Sequence, residues 1–495
     1  MFRTLTTATP ITFFRTSIRN IASQVLHVTD TEGTNFALKA FQKSKILSVN
    51  SDNGLQFNKV DGIPHLIYGG DATDRGRHDL AITEMLVDFK KRHPDQVTLL
   101  VGNREIKNTR FAVELHPETI RERLLKTASP YWIPNLTLPL DYVIAEMKRS
   151  GKQTTDEMTE ASIQHYVYSL TIEKCQIIYL KWMLEKTMGS PNTFRYRREE
   201  LSALTQKSNP SEEEVLHSFI KETQPTGLMG EYLGLAQVGV IVPNTGILAV
   251  HGGLTNYNVG RIPNMQDHET PIQDAKQWLT GFNQWYQEQI QKWIHFKPNH
   301  LNQPGQTPLD QCVLPVPGKQ KYVITADMLN AQRQFVTIPE NVNQYINRNK
   351  LSIVLTGHQP CGDHPCIIRN TSNNALFING DTGYAIESKN PDDTRGHACH
   401  TVEIAVDDKL ASHVEINATL PDKTAVKTEL CVLSDTIEGD PYIGIVLPDH
   451  RLIQCRLPNG DYRLAEQKGF AVTYSTVQAE NMAALMALPV AIKPL

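Results

Sequence analysis

Short apolar runs, each closing on a polar or glycine-rich loop, recur along the chain: "QVLHVTDTEG", "PHLIYGGDATDRG", "QVTLLVGNRE", "GILAVHGGL", "SIVLTGHQPCGDHP" and "ALFINGDTGYA". Each run has strand length, and each following loop carries Asp, Asn or His. That is the layout in which α/β and sandwich enzymes set chemistry at strand ends. Between the second and third runs, "HDLAITEMLVDFKKRH" places Leu80, Met85, Leu86 and Phe89 near helical spacing. A strand–helix–strand unit and a layered α/β core are therefore predicted.

From about residue 111 to 235 the pattern turns helical, as in "TTDEMTEASIQHYVYSLTIEKCQIIYLKWMLEKTM" and in "SEEEVLHSFIKE", where Ser211 and Glu214 stand in capping-box spacing. We read this stretch as a large helical insertion. Towards the C-terminus apolar and polar positions alternate, with the turn signals "LPDKT", "LPDHR" and "LPNGD", which predicts short antiparallel strands. These strands either finish the core's second sheet or form a small module of their own. The expected organisation is an N-terminal segment over 1–20, a domain over 21–405 containing the insertion, and a β-rich region over 406–495.

Composition narrows the function classes. A chain of 495 residues with 40% hydrophobic and 21% charged residues is an ordinary globular protein too long for one small core. Its formal net charge of −4 supplies no basic field, so nucleic acid is not expected as a partner. Seven scattered cysteines lack the spacing of a disulfide scaffold and suit a reducing, cytoplasmic location. The longest apolar candidate, "QVGVIVPNTGILAV", is broken by Pro243, Asn244 and Gly246, so no membrane span is expected. Residues Met1 to Thr29 hold Arg3, Arg15 and Arg19 and no acid, as transit peptides do. Since "SQVLHVTD" already reads as core, organellar targeting is not expected. No P-loop or dinucleotide fingerprint is present, so nucleotide cofactors are not implied.

The strand-end loops supply Asp30 and Glu32, then Asp71, Asn103, His251 and His358. Oxygen and imidazole donors from five loops are what a two-metal hydrolytic site requires, with one shared carboxylate, for which Asp71 is the natural choice. Such a pair of cations lowers the pKa of a shared water, while arginines hold phosphate oxygens.

The stretches "GDATDRG", "GNRE", "HGGL" and "TGH" resemble the phosphoprotein-phosphatase branch of the calcineurin-like metallophosphoesterases. That family's pattern runs GDxHG, GDxxDRG, GNHE, HGGL and a late His, and this chain keeps the order from Asp30 to Gly383. The resemblance implies a two-sheet β-sandwich flanked by helices. It implies Asp30, Glu32 and Asp71 on one divalent ion and Asp71, Asn103, His251 and His358 on a second. Asp74, Arg75, Arg104 and Arg333 fall at positions that act on the phosphate and leaving group, with Arg110 near a further family arginine.

Two departures stand out. "DTEG" puts Glu32 where the family has His, an oxygen-rich site that favours Mn²⁺ or Mg²⁺ over Fe or Zn. "GNRE" puts Arg104 where the family has its general-acid histidine, with Asp74 as the expected ion-pair partner. Arginine does not give up its proton, so acidic leaving groups are favoured, and phosphotyrosine over phosphoserine or phosphothreonine. His78 and His364 stand close enough in sequence to the motifs to replace the lost acid.

The expected function is a metal-dependent phosphomonoesterase acting on phosphorylated protein, the insertion binding a partner protein as in bacterial effector phosphatases of the family. Hydrolysis of small phosphorylated metabolites or dinucleoside polyphosphates is the second reading, and a metal-binding scaffold of weak activity the third. Cys361, Cys366, His397, Cys399 and His400 suggest zinc, but their spacing matches no common zinc pattern and buried free cysteines are the plainer reading.

Overall fold

The computed structural model describes residues 21–51, 54–129, 135–150, 159–263, 265–266, 268–295, 309–313, 321–370, 374–383, 399–434 and 436–487. The expected N-terminal segment 1–20 and His397 lie outside the described residues. The fold is mixed α/β, as the pattern predicts.

The first run forms strand Ile21–Val28, parallel to Ile63–Tyr68, which is in turn parallel to Val97–Leu99. On the other edge of Ile21–Val28 the strands Cys399–Asp407, Ser412–Thr419, Ala425–Val432 and Ile437–Gly439 follow in antiparallel order, completing a seven-stranded sheet. A five-stranded sheet is ordered Gly239–Ile241, Ile247–Val250, Ile353–Thr356, Ala375–Asn379, Cys366–Asn370, its middle three strands parallel. Every residue of those three is buried, which is why they read as unbroken apolar runs. One apolar cluster draws Val25, Ile67 and Ile404 from the larger sheet and Ile247, Ile353 and Leu376 from the smaller.

The helix Asp79–Arg92 connects two parallel strands and buries Ile82, Met85, Leu86 and Phe89, while Leu80 stays half-buried. The helical stretch folds around a core of its own, from Phe111 through Trp182 to Phe219. The long pattern ending at Met188 breaks into Glu160–Ser169 and Ile172–Trp182, because Thr171 accepts the Lys174 N–H at 3.1 Å and caps the second helix. Ser211 and Glu214 form the predicted capping box at the start of Glu212–Glu222. A final sheet of Leu452–Arg456, Tyr462–Lys468 and Ala471–Val477 stands apart in pairing from both large sheets.

The parallel strands all end on the same chemistry. Val28 leads to Asp30, Tyr68 to Asp71, Leu99 to Asn103, Val250 to His251, Thr356 to His358 and Asn379 to Asp381. Parallel pairing sends C-terminal ends to a common edge, so sequence-distant loops converge.

Candidate metal centre

The loops after Ile21–Val28 and Ile63–Tyr68 are joined backbone to backbone. The N–H groups of Asp30, Glu32 and Gly33 donate to the carbonyls of Gly70, Asp71 and Ala72 at 2.9, 2.9 and 2.6 Å. Glu105 then clamps the second loop to the third: its carboxylate accepts the N–H groups of Asp71, Ala72 and Gly102 at 3.0, 2.5 and 2.8 Å. Gly70 has φ +96°, and a Cβ there would fall 2.9 Å from His251 Nδ1. Only glycine lets the loop pass that close.

Six of the ten predicted site residues hold left-handed backbone: Asp30 (φ 52°), Glu32 (47°), Asp71 (54°), Asp74 (98°), Arg333 (59°) and His358 (74°). Each such non-glycine residue costs on the order of 1 kcal/mol and persists only where its surroundings impose it. Strained backbone of this kind is found at active sites and ligand clamps.

Asp71, His251 and His358 each present a ligand atom within 4.8 Å of the others, the only such cluster among the described residues. The Nδ1 of His251 lies 2.7 Å from the Gly69 carbonyl and donates to it, which turns Nε2 towards Asp71 Oδ1 at 3.4 Å and Asn103 Oδ1 at 3.5 Å. A backbone carbonyl fixing one ring nitrogen leaves the other for a metal. His358 Nδ1 is buried with no hydrogen-bond partner. An acid and two imidazoles so placed are a donor set that suits a divalent cation. Asp30 sits beside it, both carboxylate oxygens 3.0 Å from the His358 N–H.

Burial would raise the Asp71 carboxyl, but the charge on His251 and Arg104 holds it below the usual range. Burial would likewise lower His251, yet Asp71 and Asp30 push it up to about 10. Burial and then the charge of His251 keep His358 well below its ordinary value. Asp30 goes the other way, raised by burial and by Asp381. The acids thus call for positive charge at their centre.

Glu32 and Arg104 answer the sequence differently. Glu32 lies outside the three-residue cluster: its Oε1 accepts Arg104 Nε at 2.6 Å, and Arg75 Nη1 stands 3.3 Å away. Asp74, the expected partner of Arg104, is the most distant of its three acids, at 3.9 Å, beyond Glu32 and Asp71 at 3.6 Å. Which carboxylate a long guanidinium reaches depends on three loops at once, which short motifs do not encode. Asp74 thus keeps a long ion pair with Arg104 and also accepts from Asn108 Nδ2 at 3.1 Å.

The helical stretch reaches into this corner. Arg104 Nη1 donates to Ser190 Oγ at 3.1 Å, Arg75 Nε to the Gly189 carbonyl at 3.3 Å, and the Thr193 hydroxyl to the Asp74 carbonyl. Arg110 is turned away from the cluster: its Nε and Nη2 donate to Glu114 at 2.6 and 3.2 Å and its Nη1 to the Thr187 hydroxyl at 3.0 Å. His364 is fully buried, with Nδ1 on the Pro365 carbonyl at 2.8 Å. The helix after His78 begins at Asp79, and the His78 side chain makes no cap bond.

Arg333 Nη2 donates to Gln359 Oε1 at 2.5 Å, and Gln359 Nε2 lies 3.2 Å from His358 Nε2. That chain of contacts brings Arg333 to the edge of the cluster. In the cysteine-rich segment, the Cys361 thiol donates to the Gln359 carbonyl at 3.3 Å, and the His400 ring packs on Phe36 with centroids 5.7 Å apart, a packing role for both.

Sequence reasoning missed Glu105 and Asp381. The spacing of Gly102 and Glu105, that of a capping box, was a signal for the first. The strand-end position of "NGDTG" was a signal for the second.

No helix of the described residues is long and apolar enough to cross a membrane. No family model and no curated protein matches this chain. Among solved structures it is similar to a mutant of a cold-active protein tyrosine phosphatase, with TM-score 0.35, 11% identity, and 83% of this chain and 82% of that chain covered. It is also similar to a protein serine/threonine phosphatase from Saccharomyces cerevisiae, with TM-score 0.29, 10% identity, and 93% and 84% covered. Likeness at that level carries no argument, and the functional reading rests on the site.

Proposed function

We propose that this chain is a metal-dependent phosphomonoesterase acting on phosphorylated protein, with phosphotyrosine favoured over phosphoserine and phosphothreonine. The convergence of Asp71, His251 and His358 at parallel strand ends, beside three arginines, carries the reading. We take the two large sheets, which share an apolar cluster, as the sandwich of the metallophosphoesterase fold.

Asp71, Asn103, His251 and His358 would hold one divalent ion. Asp30, Glu32 and Asp71 would hold a second, for which Glu32 exchanges its pair with Arg104 and Arg75. Bound ions of this kind supply an activated water and charge for the phosphoryl group, and oxygen donors favour Mn²⁺. The chain's own part is electrostatic. Arg75, Arg104 and Arg333 offer planar donors to phosphate oxygens. Burial would weaken the charge of Arg104, but Glu32, Asp71 and Asp74 more than offset it. Arg104 therefore stabilises a departing oxygen without protonating it, which serves phenolates better than alkoxides.

Turnover of p-nitrophenyl phosphate with Mn²⁺, in wild type and in Asp71→Asn and His251→Ala, tests this. Both variants should lose at least about a hundredfold in kcat, about 2.7 kcal/mol of barrier. Retention of more than about a tenth of the wild-type rate by both would sink the metal reading.

A further inference from the structure

The C-terminal sheet ends its second hairpin in a two-residue loop, Lys468 pairing with Ala471. Gly469 takes φ +60° at the first loop position, as a type II′ turn demands. The other loop position is normally small or polar. Here it is Phe470, left 46% exposed. A large aromatic at a solvent-facing turn tip serves neither turn geometry nor core burial, and such local conflicts concentrate at functional sites.

Its position supplies a reason. The Gly469 N–H donates to the Gln332 carbonyl at 3.2 Å, which ties the hairpin tip to the turn bearing Arg333. The Phe470 ring centroid lies 4.7 Å from the Arg333 guanidinium carbon. Arg333 contacts Gln359, and Gln359 contacts His358, so an exposed aromatic ring stands at the border of the candidate centre. The hairpin is held firmly. Arg463 grips Asp363 through two bonds of 2.6 and 2.9 Å, and its guanidinium stacks 3.7 Å from the Tyr474 ring centroid. The Tyr474 hydroxyl accepts the Asp363 N–H at 2.8 Å.

We propose that Phe470 is a specificity-determining residue for aryl phosphate esters: the ring of a phosphotyrosine packs against it while the phosphoryl group reaches Arg333. This rests on the phosphatase reading above. A phosphoserine side chain offers no ring, so it gains nothing from Phe470. If Phe470 served only to cover Arg333, its loss would change phosphate affinity alike for every substrate.

The experiment compares full-length wild type, Phe470→Ala and Phe470→Trp on matched phosphotyrosine and phosphoserine peptides, with inhibition by inorganic phosphate as the reference. Aromatic packing of this kind is worth roughly a three- to tenfold change in affinity. Phe470→Ala should raise KM for the phosphotyrosine peptide by that factor, with kcat little changed. KM for phosphoserine and Ki for phosphate should stay within about twofold, and Phe470→Trp should behave as wild type. Equal shifts on both peptides, or none on either, would overturn the proposal. Absence of turnover by the wild type would bring down the phosphatase reading and this inference with it.

Discussion

The helical stretch and the C-terminal three-stranded sheet both reach the candidate centre, and they do so by different physics. The helices fold on an apolar core of their own, from Phe111 to Phe219, and send a few polar groups outward: Gly189, Ser190 and Thr193 to Arg75, Arg104 and Asp74. The sheet has no comparable core, since Leu452, Ala465 and Val472 pack into one central cluster and Ile453, Tyr462 and Leu464 into the other. It meets the Arg333 turn and the loop after His358 through Phe470, Gly469 and Arg463. One region is an added body with a polar tip, and the other is a wall of the central fold.

The largest contrast is expected in stability. Arg197 is buried, with Glu222 at 2.8 Å, Asp79 at 3.5 Å and Glu200 at 3.7 Å, and it joins the helical stretch to the start of the helix Asp79–Arg92. Arg197→Ala strands three buried acids and should cost roughly 3–5 kcal/mol by chemical denaturation. Burial already pushes Glu222 up to about 7 and Asp79 well above its ordinary range. Protonation relieves stranded acids, so the loss should be larger at pH 8 than at pH 6. Equal, small losses at both pH values would show that the cluster contributes no stability.

The loop after His358, which the sheet grips through Arg463 and Asp363, should respond to pH in the opposite sense. Burial lowers His364 to about 4, against the pull of the Pro365 carbonyl and Asp363. An unfolded histidine titrates near 6.5. The neutral folded form therefore contributes stability in full above about pH 6.5 and loses it as pH falls towards 4, by up to about 3 kcal/mol. His364→Asn keeps a donor for the Pro365 carbonyl and removes the titration. Its denaturation midpoint should fall less than that of wild type between pH 7 and pH 5. Parallel pH curves for the two proteins would count against a buried neutral His364.

The smallest effect should fall on turnover alone. Ser190→Ala removes the hydroxyl that fixes Arg104 Nη1, leaving Glu32 to hold the guanidinium by Nε. The expected result is about a tenfold loss in kcat, or 1.4 kcal/mol, with KM little changed and a steeper dependence of rate on leaving-group pKa. Uniform loss on all aryl esters, without a change in that slope, would make Ser190 a packing residue.

Much of the centre was legible because its residues sit in short motifs at strand ends. Asp71, Asn103, His251 and His358 were each placed by a few neighbouring letters, and parallel pairing did the rest. Less legible was what each charged side chain touches. Glu32 faces Arg104 and Arg75, and Arg110 faces Glu114, since long flexible side chains choose among all acids within reach after the backbone is set.

The same division runs through the whole chain. In "LPDKT", "LPDHR" and "LPNGD" the leucine N–H bonds to the carbonyl four residues on, at 2.9, 2.8 and 2.8 Å. The fourth residue of each, Lys423, His450 or Gly460, takes left-handed φ of 72°, 67° or 93°. Those turns, the Ser211 cap and the strand runs depend on contacts within a few residues, so local sequence alone determined them. That the strands of 399–439 complete the sheet begun at Ile21, that Ser190 braces Arg104 and that Phe470 overhangs Arg333 depend on contacts across tens to hundreds of residues. Burial of a shared core decides those, and only the tertiary structure could bring them together.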